Sequence, residues 1–164
     1  MKEIVSTEHI ESDEDKYRLL VKQVKELLST DDDELSNLSN LTAAIKQTFS
    51  KVSWVGFYLF KNDKLILGPF QGKVACTEIN IGKGVCGSSA EKKESIIVQD
   101  VNKFPGHIFC DADSKSEIVV PIIKSDGSLF GVLDLDSTEY SSFNNSDKQY
   151  LEEICKFLAE EILS

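Results

Sequence analysis

Between Lys51 and Ser137 the apolar residues of this chain mostly recur at every second position, and on either side at every third and fourth. No other feature limits the fold as much. Period two sends alternate side chains to opposite faces of a sheet, and period 3.6 gathers them on one stripe of a helix. The chain therefore predicts a sheet from its middle, covered by helices from its ends. Tyr17, Leu20, Val21, Val24, Leu27 and Leu28 mark a first helix over 14–28. TDDDEL offers N-cap oxygens and an acidic first turn for a second helix, running to about Phe49, with Leu35, Leu38, Leu41 and Ile45 in its stripe. VSWVGFYLF and KLILGPF read as strands joined by a KND hairpin, and EIVVPIIK and SLFGVLDLDS as a pair joined by SDG. ACTEINI, with Cys76 at its start, and SIIVQD are shorter strands, and IGKGVCGSSAEKKE is a glycine-bearing turn opening into a short helix. The last helix is placed at Ser146, with Ser146 and Gln149 as an S-x-x-Q capping box. The fold class is α+β, a mostly antiparallel central sheet flanked by N- and C-terminal helices. Residues 1–13 read as a flexible acidic lead and 14–164 as a single domain.

Charge removes several function classes. Eighteen Lys and Arg against 28 Asp and Glu give a net charge of −10, and binding to nucleic acid draws mostly on Lys and Arg. No nucleic-acid partner is expected. No apolar run reaches membrane-spanning length, and MKEIVSTEHIESDEDKY lacks the apolar core of a signal peptide. A cytoplasmic, reducing setting follows, in which four cysteines do not form a structural disulfide framework. Their positions, 76, 86, 110 and 155, contain no C-x-x-C, and His9 and His107 are far apart, so neither a metal nor another cofactor is expected.

Catalytic use or simple burial remains for the thiols. Cys155 lies on the apolar face of the last helix and reads as core. Cys86 falls in the first turn of a short helix, where unpaired N–H groups favour a thiolate. Cys110 lies in the loop VNKFPGHIFCDADSK, beside Asp111 and Asp113. Three small buried residues would explain this spacing, and so would an attacking thiol with a resolving thiol nearby.

The carboxylates pose a related choice. Asp134 and Asp136 are two apart on one strand and share a face, and Glu117 opens the neighbouring strand. Paired like charges raise at least one pKa, yielding a carboxylic acid able to give a proton near neutral pH. A solvated strand end is the plain alternative. Trp54 and Tyr58 also share a face, with Gly56 between them, as core or as a pocket wall.

GPFQGKVACTEI, GKGVCG, FPGHIFCD, SEIVVPI and GVLDLDS, in this order, closely resemble the free methionine-(R)-sulfoxide reductases, which are single GAF domains. The likeness runs from about residue 15 to residue 160. GVLDLDS is common to many GAF domains, whereas the cysteine set with FPGHIFCD is specific. The resemblance implies that Cys110 attacks the sulfoxide sulfur, that Cys76 resolves the resulting sulfenic acid, and that Cys86 is an auxiliary thiol. It implies that Trp54 and Tyr58 enclose the substrate methyl group, and that Glu117, Asp134 and Asp136 bind and protonate the polar end. Thioredoxin is the implied reductant, with no cofactor, and a homodimer is the assembly GAF domains suggest. Glu78 stands two residues after Cys76, where many members carry a basic residue. Two other readings start from the same residues. A GAF sensor would be expected beside an output domain, for which 164 residues leave no room. A dimerisation module explains the N-terminal helices but not the cysteines.

Overall fold

The structure, a computed structural model, describes residues 2–108 and 110–163. Met1, Phe109 and Ser164 lie outside the described residues, and with them the two ends of the expected segments and one residue of FPGHIFCD.

One antiparallel sheet organises the chain. Its strands are β1 (Trp54–Lys61), β2 (Lys64–Gln71), β3 (Glu78–Asn80), β4 (Ile96–Val98), β5 (Ser116–Ile123) and β6 (Leu129–Ser137), in spatial order β3-β2-β1-β6-β5-β4. Among the described residues four α-helices accompany them: α1 (Asp13–Leu27), α2 (Glu34–Thr48), α3 (Gly84–Lys92) and α4 (Asn145–Phe157), the last continuing into a π-helical turn at Leu158–Ile162. The expected α+β architecture is the one observed.

Alternation along the strands sorts the side chains into two cores. Val55, Phe57, Ile118, Val120, Ile122, Leu133 and Leu135 pack with α1, α2 and α4. Their neighbours Trp54, Tyr58, Val119 and Val132 pack on the other face with Cys86, Val85 and Ala90 of α3. Burying each large apolar side chain contributes roughly 1.5–3 kcal/mol, so the three-helix side supplies most of the driving force. The α3 side is thinner and holds the polar residues.

Three local expectations differ from what forms. The capping box of α4 is Asn144 with Asp147, not Ser146 with Gln149. Both pairs fit the motif, but Asn144 can reach the N–H groups of Ser146 and Asp147 while Asp147 returns to the Asn144 N–H at 2.8 Å. Leu35 is 62% exposed, because it lies in the first turn of α2, beyond the sheet it would cover. Strand β3 begins only at Glu78, leaving Cys76 in an irregular segment ahead of it. Within the acidic lead, the buried Thr7 hydroxyl donates to the Thr48 carbonyl, and the Val5 N–H donates to Gln23 Oε1.

Asp147 also joins the helices. It accepts from the Tyr17 hydroxyl of α1 at 2.6 Å and from Lys51 Nζ at 2.8 Å, and is 1% exposed. Burial, then Asp147, pushes the Tyr17 phenol well up, so it remains a donor. Asp147→Ala removes a cap and leaves the buried Tyr17 hydroxyl without its acceptor, while Lys51 keeps the Ser142 carbonyl and Asp13. The loss should cost about 2–4 kcal/mol, read as a lower urea midpoint.

Candidate active site

The site grows from two rows across β1, β6 and β5. In the first, Trp54 pairs with Asp136 and Asp136 with Glu117. In the second, Gly56 pairs with Asp134 and Asp134 with Val119. Trp54, Gly56, Asp134, Asp136 and Glu117 therefore face the same side by strand geometry alone. Gly56 is required there: a Cβ would lie 2.5 Å from Phe70 Cβ and 2.5 Å from Trp54 Cη2. The space opened by this glycine is occupied by the indole of Trp54, which stacks on Phe70 at 5.4 Å and Tyr58 at 6.1 Å.

Above these rows lies a cleft with a polar floor and an aromatic wall. Trp54, Tyr58, Cys86, Cys110, Glu117, Asp134 and Asp136 all line it. Cys76 does not, and joins the site through a disulfide to Cys110, with Cα atoms 5.5 Å apart. The segments 72–77 and 107–115 meet at that bond, and Lys73 Nζ donates to Asp113 Oδ2 at 2.6 Å beside it. The acidic residues nearest Cys110 in sequence are thus partly matched, and Asp113 is held low by Lys73. Glu78 is exposed on β3 and pairs with Lys64 at 3.2 Å.

The three carboxyls lie deeper. Glu117 and Asp134 are 6% and 5% exposed. Burial pushes Glu117, Asp134 and Asp136 well above the usual carboxylate range, and their mutual repulsion adds to it. Asp134 Oδ1 is buried without a hydrogen-bond donor. Glu117 Oε1 also lies 3.5 Å from His107 Nε2, and burial lowers the pKa of that imidazole. Above about pH 4, where unfolded carboxyls ionise, the native cluster holds more protons than the unfolded chain. Stability therefore falls as pH rises from there toward the raised folded values. Glu117→Gln should flatten this fall, so that urea midpoints at pH 5 and pH 8 differ less than in the wild type. An undiminished difference would remove Glu117 from the coupled cluster.

Cys86 departs from expectation. It sits in the first turn of α3, but it is 4% exposed under the acids. Burial pushes its thiol well up, and Asp134, Glu117 and Asp136 push it further. Burial, the largest of these effects, opposes the helix N-terminus and outweighs it, since the dipole acts only as a partial charge. The sulfur of Cys86 and carboxyl oxygens of Glu117 and Asp134 lie within 4.8 Å of one another, a spacing that suits a cation or an ammonium group. Cys155 is buried in the helical core, as its place on α4 implies.

Two lining features were not visible in the sequence. Ser114, 7% exposed, faces the cleft from the loop before β5, and nothing in DADSKS distinguishes it. The first turn of α3 (Lys83 to Cys86) also lines the cleft and carries no side-chain cap. The glycines of GKGVCG were the available signal: Gly84 takes φ +63°, and a Cβ there would meet Ile108 at 3.0 Å.

Residues 32–162 match the GAF domain family model, and the chain belongs to that family. A Saccharomyces cerevisiae free methionine-R-sulfoxide reductase is 50% identical over 129 residues, covering 74% of this chain and 72% of the relative. The Escherichia coli enzyme of the same name is 40% identical, covering 84% and 83%. The structure of free methionine-R-sulfoxide reductase from Neisseria meningitidis in complex with its substrate superposes with a TM-score of 0.90 at 40% identity, covering 97% of this chain and 94% of that one. Within the GAF domains, this chain is a member of the free methionine-R-sulfoxide reductases, a family of oxidoreductases.

Proposed function

We propose that this protein reduces free L-methionine-(R)-sulfoxide to L-methionine by thiol chemistry at Cys110. The observation that carries the reading is the Cys76–Cys110 bond at the rim of a cleft floored by protonatable, buried carboxyls. A sulfoxide oxygen leaves carbon-bound sulfur only once protonated, so a nucleophile alone is insufficient. The Cys110 thiolate attacks the sulfur while a carboxylic acid of the cluster protonates the oxygen. Transfer of that hydroxyl to Cys110 sulfur releases methionine and leaves Cys110 as sulfenic acid. The Cys76 thiol then attacks Cys110 sulfur and expels water, forming the disulfide. Thioredoxin supplies two electrons by thiol–disulfide exchange and restores both thiols. No bound cofactor enters this cycle.

The free amino acid fits the charges of the cleft. Its ammonium supplies the donor that Asp134 Oδ1 lacks, and the uncapped first turn of α3 offers N–H groups to its carboxylate. Trp54 and Tyr58 form the apolar wall for its methyl group. Cys86, buried beneath the carboxyls, is an auxiliary thiol. On this reading the protein works in the cytoplasm, and among the described residues no helix is long and apolar enough to cross a membrane. A homodimer is the proposed assembly, to be checked by light scattering.

The test is turnover of free methionine-(R)-sulfoxide with thioredoxin, thioredoxin reductase and NADPH. The S epimer and a peptide-bound sulfoxide should be inert, and equal turnover of either would refute the proposed specificity. Cys76→Ser should still release one equivalent of methionine, then stall with thioredoxin and hold Cys110 as sulfenic acid that a dimedone-type reagent traps. A stall in Cys86→Ser, with normal cycling in Cys76→Ser, would exchange the two roles.

A further inference from the structure

Segment 72–77 presents Cys76 but has little structure of its own. Among the described residues, no backbone–backbone hydrogen bond involves 73–76, and Val74 is 88% exposed. Its position comes instead from side chains of β1. The Trp54 indole Nε1–H donates to the Lys73 carbonyl at 3.0 Å, and the Tyr58 hydroxyl donates to the Cys76 carbonyl at 2.9 Å. Both aromatic residues are at most 3% exposed and locked by stacking. Gly72, at φ +137°, lets the chain pass so close that a Cβ would lie 2.5 Å from Trp54 Cδ1. Burial pushes the Tyr58 phenol up, so its proton stays available to the carbonyl.

We propose that Trp54 and Tyr58 are positioning residues for disulfide closure, holding the backbone on either side of Ala75 so that Cys76 sulfur stands within reach of Cys110. This rests on the reading above in which Cys76 resolves Cys110. The physical reason is preorganisation. A thiol on an unanchored loop loses more conformational freedom on forming the bond than one already fixed in place. The disulfide ties the loop by itself once formed, so the anchors matter most in the dithiol state. Each hydrogen bond contributes a modest net amount, so removing one should lower the effective concentration of Cys76 at Cys110 by about fivefold.

The experiment measures that quantity without any sulfoxide. Wild type, Tyr58→Phe and Trp54→Phe are equilibrated in graded reduced and oxidised dithiothreitol, and the Cys76–Cys110 disulfide is quantified by thiol alkylation and mass spectrometry. Tyr58→Phe keeps the ring and removes only the donor, and should shift the equilibrium toward dithiol about fivefold; Trp54→Phe should shift it at least as far. Far-ultraviolet circular dichroism and urea midpoints identify a variant that has merely unfolded, in which case the other decides. A second arm follows one turnover on methionine-(R)-sulfoxide. In Tyr58→Phe, sulfenic acid should persist longer relative to methionine release than in the wild type. An equilibrium within twofold of wild type in both folded variants would overturn the positioning role. Failure of the wild type to release methionine, with the dithiothreitol shift present, would instead overturn the proposed activity and leave the anchoring intact.

Discussion

Cys110→Ser should abolish methionine release. Serine keeps the shape, but its hydroxyl lacks the nucleophilicity of a thiolate and forms no stable product equivalent to a sulfenic acid. Neither remaining site thiol can replace it. Cys86 is buried, and that burial pushes its thiol well up and keeps it protonated, while Cys76 does not line the cleft. Single-turnover release without reductant is the measure, because it isolates the attack from resolution and recycling. The expected yield is below about one hundredth of the wild-type equivalent, on the scale by which removing a nucleophile slows an enzyme. A full equivalent released by Cys110→Ser would require a different attacking group.

The second large effect is expected at the carboxyls. A general acid contributes about 10²–10⁴-fold, so loss of the proton donor should lower kcat on that scale with the fold intact. Glu117 is the expected donor. It pairs with Asp136 across β5 and β6, its carboxyl oxygen lies with that of Asp134 and the sulfur of Cys86, and burial holds its proton. Glu117→Gln should therefore lower kcat more than it raises KM. Asp134→Asn should act mainly on KM, since the unpaired Oδ1 of Asp134 is the proposed ammonium contact. A kcat loss centred on Asp136→Asn would move the donor role one strand over. Near-native kcat in Glu117→Gln, Asp134→Asn and Asp136→Asn together would end the carboxylic-acid mechanism and turn attention to His107, 3.5 Å from Glu117.

How much of this could be read from the sequence depends on the range of the interactions involved. Strand alternation is local, so the shared face of Trp54, Gly56 and Tyr58, and that of Asp134 and Asp136, followed from spacing. The pairing of Glu117 with Asp136 needed the β5–β6 register, which the SDG turn between them made accessible. The place of Cys86 in the first turn of α3 is local information and legible, whereas its burial beneath β5 and β6 carboxyls is not. The alternation of ACTEINI predicts a strand that includes Cys76, yet the ladder with β2 takes in Glu78 to Asn80 and one further bond from the Leu67 N–H to the Thr77 carbonyl, stopping short of Cys76. An extended loop and a paired strand share that pattern. The α4 cap slipped by two residues because NNSDKQ contains two acceptable boxes, and only the geometry chooses between them. The hydrogen bonds from Trp54 and Tyr58 to the Cys76 segment left no trace at all, since their acceptors are backbone carbonyls and carry no residue identity.

The contact between Tyr17 and Asp147 spans 130 positions of chain, and this has a bearing on synthesis. Helix α1 leaves the ribosome before any strand of the sheet, and α4 after all of them. The sheet face that α1, α2 and α4 cover cannot close until α4 has been translated. Between the emergence of β6 and that of α4 the nascent protein therefore presents a partly uncovered apolar sheet face, the kind of surface that chaperones bind. Early release should yield aggregation-prone fragments rather than smaller working domains, even though every residue of the cleft precedes α4.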